Sequence, residues 1–169
     1  WRMNPRRQGA ESWRDTLLSV TGELDRTIGG EPTEDVHSLR RTLYFKVSRN
    51  GDRFASDEFL RLFDFPLMRA TVSKRSTSIV PQQFLFLMNS PFMADRAKAL
   101  TDRLKRECDG EADKIERAYR LLHGRIPTEV ERQVGRDFLE AVTNEQGEHS
   151  AWRQYAQILL SSNELMFVR

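Results

Sequence analysis

The chain has 169 residues, of which 38% are hydrophobic and 31% are charged. This length fits one domain with a sizeable core. The high share of charged residues fits a mainly helical domain with long amphipathic helices. The 27 lysine and arginine residues nearly balance the 25 aspartate and glutamate residues, so a net charge of +2 gives no strong attraction for nucleic acid. No apolar run approaches membrane-spanning length. We therefore expect no nucleic-acid partner and no membrane span.

The pattern of apolar residues in the N-terminal part of the chain predicts one amphipathic helix. Apolar residues recur with helical spacing from about residue 10 to residue 26, and Gly29-Gly30 is expected to stop the helix. This stripe consists of Trp13, Leu17, Val20 and Leu24. The arginines before it, Arg2, Arg6 and Arg7, are interpreted as a solvated edge or a junction with an upstream domain.

Residues 42–47 alternate between apolar and polar side chains, which predicts a strand and gives the minor β element of the fold. Its partner is left open between residues 71–80, the chain end and an upstream region. Asn50-Gly51 is expected to form a turn, and Ser56 is expected to cap a short helix.

Residues 63–94 form the most distinctive stretch. Phe63-Asp64-Phe65-Pro66 predicts a rigid corner, and residues 67–80 predict an extended loop. Pro81 can open a short helix, which its dense apolar content predicts to be buried. Asn89 or Ser90 is then expected to cap a helix that begins at Pro91.

The second half predicts a helical bundle. One helix runs to about Cys108, a second ends at Gly124, and a third opens at the capping box Thr128 to Glu131. The inward stripe of the third helix is predicted as Val130, Val134, Phe138 and Val142. A last helix from Ser150 is predicted to bury Trp152, Tyr155 and Leu159, with Ile158 left open. The fold class is therefore mainly α, a multi-helix orthogonal or bundle-like domain spanning residues 1–169, with 1–90 and 91–169 as an alternative subdivision.

Catalytic and metal-binding patterns are missing from the sequence. Cys108 is the single cysteine and precedes an acidic residue, and His37, His123 and His149 lack the spacing of metal ligands. We predict no catalytic residue, no metal site and no cofactor in this chain.

Asp64, Arg75 and Gln83 are the candidate ligand-binding residues, because they are polar groups among apolar residues and turns. They fit a structural role, in which they tie down the loop, and a functional role, in which they line one wall of a cleft that binds a polar ligand such as a sugar. The structural role is favoured, since a salt-bridged corner is commoner than a site. Arg125 and Glu131 are likewise expected to fix a helix junction.

The stretch FDFP, then Arg75, then SIVPQQFLFLMNSPF resembles the signature of the planctomycete DUF1553 family, also called planctomycete secreted domain 1 (PSD1). Ser78-Ile79 and Phe84 depart from the usual Thr-Thr and Ala, and Leu165 from the usual Phe. AYRLLHGRIPTEVE and SSNELMFV extend the resemblance over nearly the whole chain. Its structural-motif residues here are Asn89, Pro91, Gly124, Arg125, Pro127, Glu131, Asn163 and Glu164.

The resemblance implies a context more than an activity. Family members are long exported proteins, periplasmic or at the cell surface, often with an upstream c-type cytochrome domain that would hold any haem. The chain is then expected to be a C-terminal fragment, a non-catalytic structural or interaction module whose partners are upstream domains. The alternative is that its loop completes a carbohydrate-binding or catalytic site in a polymer-degrading or electron-transfer assembly, with a polysaccharide or other proteins as partners.

Overall fold

A computed structural model describes residues 4–50, 52–66, 68 and 71–168. Its elements confirm the mainly helical prediction: β1 (Arg6–Arg7), α1 (Ala10–Thr21), a 3-10 helix (Thr42–Tyr44), α2 (Ala55–Leu62), α3 (Pro81–Asn89), α4 (Pro91–Glu107), α5 (Glu111–His123), α6 (Glu129–Gln146), α7 (Glu148–Leu160), α8 (Asn163–Met166) and β2 (Phe167–Val168). Among the described residues, no helix combines the length and apolar character needed to cross a membrane.

Helix α1 buries the first three residues of its predicted stripe but ends before the fourth, the half-buried Leu24. Trp13, Leu17 and Val20 are buried, whereas the helix stops at Gly22, where φ is 80°. Glycine adopts this left-handed conformation without steric cost, and the Gly22 N–H donates to the Ser19 carbonyl at 3.1 Å. The predicted end near residue 26 is therefore wrong.

The prediction of a strand at residues 42–47 is also wrong. Thr42–Tyr44 form a 3-10 helix, and Phe45 makes only an isolated parallel bridge with Thr33. The reason lies in α1, because the Asp15 carboxylate accepts hydrogen bonds from the Thr42 N–H and hydroxyl, both at 2.7 Å. The regular two-stranded sheet lies elsewhere, where β1 pairs antiparallel with β2.

The segment around α2 differs from the prediction at its first residues. Ser56 lies inside α2 and is buried, so it is not the cap; Phe54 precedes the helix, and its N–H donates to the Asp57 carboxylate at 3.3 Å. Gly51 of the predicted turn lies outside the described residues.

Helix α3 begins at Pro81 as predicted, but it is only partly buried. Gln83 and Leu87 are buried, and the exposed residues are Phe84, Leu85 and Met88. The apolar density of this helix therefore does not place all of its apolar side chains in the core. The buried Gln83 amide occupies part of the inward side of the helix.

Helices α4 and α5 confirm their predictions. Ser90 caps α4 by accepting a hydrogen bond from the Met93 N–H at 3.2 Å, and Pro91 is the first helical residue. Gly124 ends α5 with φ at 68°. The apolar residues that recur at helical spacing in these two helices are all buried: Met93, Ala97, Leu100, Leu104, Ile115, Ala118, Tyr119 and Leu122.

Helix α6 opens with the predicted capping box, but its inward side agrees only in part with the predicted stripe. Gly135 and Leu139 are buried. Of the predicted stripe, Phe138 and Val142 are half-buried against the core, whereas Val130 and Val134 are exposed. A Cβ atom at position 135 would lie 2.6 Å from the Tyr155 hydroxyl, so glycine allows α7 to approach α6 closely here. This close contact therefore lies on the buried side of α6.

Helix α7 begins at Glu148, two residues before the predicted start, and packs against both α4 and α6. Trp152, Tyr155 and Leu159 are buried as predicted, and Ile158 is exposed. One hydrophobic cluster includes residues from both halves of the chain, from Ala10 of α1 to Met166 of α8.

Candidate functional site

The predicted corner is centred on Asp64, which follows α2 with a left-handed φ of 61°. Its carboxylate accepts hydrogen bonds from the Ser78 N–H at 2.9 Å and the Ser78 hydroxyl at 2.7 Å. The same carboxylate forms an ion pair with Arg7 of β1. These contacts fix the end of the 67–80 loop against the end of α2.

Arg7 connects this corner to Gln83. Its side chain is only 4% exposed, and its guanidinium donates to the Ser78 carbonyl and, at 3.4 Å, to the Gln83 side-chain oxygen. Gln83 is 4% exposed, and its amide donates to the Leu62 carbonyl at 2.8 Å. The expectation that Arg7 belongs to a solvated edge is therefore wrong. Arg6 of that patch is exposed, and Arg2 lies outside the described residues.

The ionisation of Asp64 follows from these contacts. Burial raises the pKa of Asp64, but the two hydrogen bonds from Ser78 and the Arg7 guanidinium lower it more, so the net pKa lies below its ordinary value. Asp64 is thus held as a carboxylate whose oxygens are directed at groups of the same domain.

Arg75 lies apart from Asp64 and Gln83. Its guanidinium forms a two-pronged ion pair with Glu11 of α1, with nitrogen–oxygen distances of 2.9 and 2.8 Å, and its central carbon lies 5.3 Å from the Phe65 ring centroid. The structure therefore brings Asp64 and Gln83 together through Arg7, and it places Arg75 in a different group with Glu11.

Arg75 borders a cleft between α1 and the 41–47 segment, named here the Arg75 cleft. Its volume is about 470 Å³. The polar residues at its border include Glu11, Asp15 and Arg41, and its apolar residues include Leu43 and Phe65. Sequence reasoning missed Glu11, Asp15 and Arg41 as neighbours of Arg75, because their proximity depends on the folding of segments far apart in the chain.

Arg14 is another buried arginine that the sequence reasoning missed. It donates to the Val36 carbonyl at 2.8 and 3.1 Å, to the Arg40 carbonyl at 2.9 Å and to the Thr42 hydroxyl at 3.1 Å. Burial lowers the pKa of Arg14 to about 10, so it remains charged at neutral pH. Its position beside Trp13 on the inward side of α1 was the available signal.

A second ion-pair group joins α5, α6 and α8. Arg125 binds Glu131 with distances of 2.8 and 2.7 Å, and Glu164 with distances of 2.7 and 2.8 Å. The hydrogen bonds with Arg125 lower the pKa of Glu131 to about 2, and the same bonds raise the pKa of Arg125. Gly124 and Pro127 lie in the short connection that carries Arg125.

The remaining motif residues lie at helix ends. Asn89 is the last residue of α3, Pro91 is the first of α4, and Asn163 is the first of α8, where Ser162 is the cap. The Gln157 amide of α7 donates to the Leu87 and Met88 carbonyls at 3.1 and 2.7 Å. These contacts attach the end of α3 to α7.

The groups that could carry metal or thiol chemistry are dispersed. Within the part of the chain that the structure describes, no three histidine, cysteine, aspartate or glutamate side chains come together as a metal site. Burial raises the pKa of the half-buried Cys108 thiol, and burial lowers the pKa of His123.

The outer side of α3 presents an apolar surface, named here the α3 face and formed by Phe84, Leu85, Met88 and Ile158. The first three are 51%, 56% and 69% exposed, and they lie on one side of the helix at spacings of three and four residues. Ile158 of α7 borders the same shallow depression as Met88. The face therefore continues from α3 onto α7.

Comparison with known protein families matches residues 1–139 to PSD1, described as a protein of unknown function (DUF1553). Among curated proteins and among solved structures, nothing matches the chain significantly. The matched region contains the Asp64 corner, the residues of the Arg75 cleft and helix α3. It covers well over half of the chain, which therefore belongs to the PSD1 (DUF1553) family.

Proposed function

We propose that this domain is a non-catalytic interaction module of a larger exported protein, and that the α3 face docks against another domain of that protein. The observation that carries the proposal is the orientation of α3. This helix buries its polar residue Gln83 and exposes Phe84, Leu85 and Met88. Scattered exposed apolar residues are ordinary, but four that share one surface are typical of a contact site.

The size and chemistry of the α3 face define the partner. Its four residues are each more than half exposed, and contiguous apolar patches of roughly 300–600 Å² often mark a binding surface. Within the described part of the chain, the side chains that border the adjoining depression are all uncharged: Leu87, Met88, Phe138, Gln154, Gln157, Ile158 and Ser161. An apolar, uncharged protein surface would match this face, whereas a polyanion would find no countercharge there.

The polar signature residues support a role without catalysis. Asp64 and Gln83 use their polar atoms on Arg7, Ser78 and the Leu62 carbonyl, which are groups of the domain itself. Such fully engaged groups stabilise a fold, because buried polar atoms need partners. They leave little hydrogen-bonding capacity for a substrate.

The family resemblance supports the wider context of the proposal. PSD1-like regions stand at the C-terminal end of long exported proteins, so upstream domains of the same polypeptide are the proposed partners. Any c-type haem would belong to those domains. The same resemblance supports a periplasmic or cell-surface location as part of the proposal.

Photo-cross-linking tests the docking of the α3 face. p-Benzoylphenylalanine is introduced at position 84 in the longer polypeptide and, as a matched control, at Ile28, an apolar residue that is 92% exposed in the segment after α1. We expect an intramolecular cross-link from position 84 to another domain, identified by peptide mass spectrometry, and none from position 28. Equal cross-linking from both positions, a cross-link between two copies, or none from position 84 would contradict the proposal.

A further inference from the structure

The Arg75 cleft has the dimensions and composition of a ligand site. Its volume of about 470 Å³ falls within the range of roughly 300–1,000 Å³ that is usual for small-molecule sites. Leu43 and Phe65 give it an apolar surface, and polar groups converge from α1 and from two separate segments. This combination of an apolar surface with a few convergent polar groups is typical of binding clefts.

Two ion pairs supply the polar groups. The two terminal guanidinium nitrogens of Arg75 donate to the Glu11 carboxylate at 2.9 and 2.8 Å. The Arg41 Nε atom lies 3.3 Å from the Asp15 carboxylate. The arginine side chains are 50% and 52% exposed, so each keeps N–H groups that water or a ligand can reach. Among the residues that the structure describes, the cleft thus offers donors beside acceptors, with two positive and two negative charges.

The balance of charge selects the class of ligand. A charged ligand would approach one opposite and one like charge in each pair, so it gains little net attraction. A neutral molecule with adjacent hydroxyl groups can donate to a carboxylate and accept from the neighbouring guanidinium without separating the pair. The aliphatic side of a sugar ring can meanwhile pack on the apolar surface of Leu43 and Phe65.

We propose that the Arg75 cleft binds a neutral saccharide through its two arginine–carboxylate pairs and its apolar surface of Leu43 and Phe65. This site differs from a cleft formed by Asp64, Arg75 and Gln83, because only Arg75 of those three borders it. The proposal is independent of docking by the α3 face, since none of the residues of that face borders the cleft.

A two-dimensional amide NMR titration of the 169-residue chain tests the proposal. The probes are cellotetraose, xylotetraose and laminaritetraose at millimolar concentration, with tetragalacturonate and tetraglycine as the charged and the peptide comparisons. We expect at least one neutral saccharide to shift the amide signals of Ser12, Thr42 and Leu43. No shift with any neutral saccharide, or stronger binding of tetragalacturonate or tetraglycine, would overturn the proposal.

Variants of Arg75 separate binding from folding. Arg75→Gln removes the two-pronged pair and is expected to weaken saccharide binding about tenfold, and Arg75→Lys, which keeps the charge without the planar fork, is expected to recover only part of the affinity. Arg120→Gln is the matched control, because Arg120 is an exposed arginine paired with a glutamate on α5. An unchanged affinity in Arg75→Gln, with a folded amide spectrum, would contradict the proposed site.

Discussion

Arg7 and Asp64 form an ion pair across 57 positions of the sequence, and this pair joins strand β1 to the corner that follows α2. The Arg7 side chain is buried and the Asp64 side chain largely so. Removal of one partner from such a pair leaves a charge without compensation, which costs more stability than the intact pair contributes. The corner therefore depends on both residues.

A substitution of Asp64 tests whether the stability of the corner depends on its ion pair with Arg7. We expect Asp64→Ala to lower the free energy of unfolding by about 3 kcal/mol, because Arg7 loses its countercharge. Asp64→Asn should cost less, since asparagine tolerates a positive φ and can still accept from Ser78. Urea unfolding followed by circular dichroism gives both values. Asp137→Ala, at an exposed position of α6, is the control and should change stability little.

Arg14 should be irreplaceable by lysine. Arg14→Lys keeps the charge but cannot donate to the Val36 and Arg40 carbonyls and the Thr42 hydroxyl together, so we expect a loss of about 2–4 kcal/mol in unfolding free energy. Hydrogen exchange of the 36–45 segment should accelerate more than that of α5. Arg120→Lys, an exposed change of the same type, should leave both measurements nearly unchanged. Equal effects of the two substitutions would show that Arg14 does not organise this segment.

Gly135 should resist a change that normally favours a helix. Alanine in a helix interior is usually more stable than glycine by about 1 kcal/mol. At this position its Cβ atom would lie 2.6 Å from the Tyr155 hydroxyl, so we expect Gly135→Ala to destabilise the protein by about 1–3 kcal/mol. Tyr155→Phe in the same chain removes the clashing oxygen and should restore part of that loss. Thermal unfolding of the single and double variants measures the coupling, and additive effects would contradict the proposed clash.

Glu131 should make stability depend on acid pH. Hydrogen bonds with Arg125 hold its pKa at about 2 in the folded state, below the value of about 4.3 in an unfolded chain. Its contribution is therefore complete above about pH 4.3 and is lost as the pH falls towards 2. We expect the stability difference between the wild type and Glu131→Gln to shrink between pH 5 and pH 2, as measured by urea midpoints.

The control for this measurement is Glu129→Gln, which removes an exposed carboxylate from the same first turn of α6. Its difference from the wild type should be small and nearly independent of pH. A constant difference for Glu131→Gln across the same range would show that its ion pair with Arg125 does not contribute to stability.

Local sequence rules predicted the helices of the second half well. The start of α4 was predictable because Ser90 and Pro91 satisfy the two requirements of a helix N-terminus, and the end of α5 was predictable because Gly124 permits a positive φ. The capping box could be predicted because Thr128 and Glu131 have the required spacing of three residues. Each of these signals depends on residues within a few positions of one another.

Two of the predictions that failed concern contacts between distant residues. The alternating pattern of 42–47 carries no sign that Arg14 and Asp15 bind its backbone and its threonine. The apolar content of α3 indicates burial, but Gln83 is drawn inward by the Leu62 carbonyl and Arg7. In both cases a polar side chain with remote partners overrides the local hydrophobic pattern.

The pairing of β1 with β2 has a consequence for the order of folding. Arg7 pairs with Phe167, and the Gln8 amide donates to the Leu165 carbonyl at 2.9 Å, so these contacts join residues more than 150 positions apart. Contacts of this range close last, because a long loop must be ordered before they form. During synthesis the helices from α1 to α6 can begin to pack while β1 still lacks its partner. We therefore expect the Arg7–Asp64 ion pair to reach its final geometry only after residues 165–168 have emerged from the ribosome.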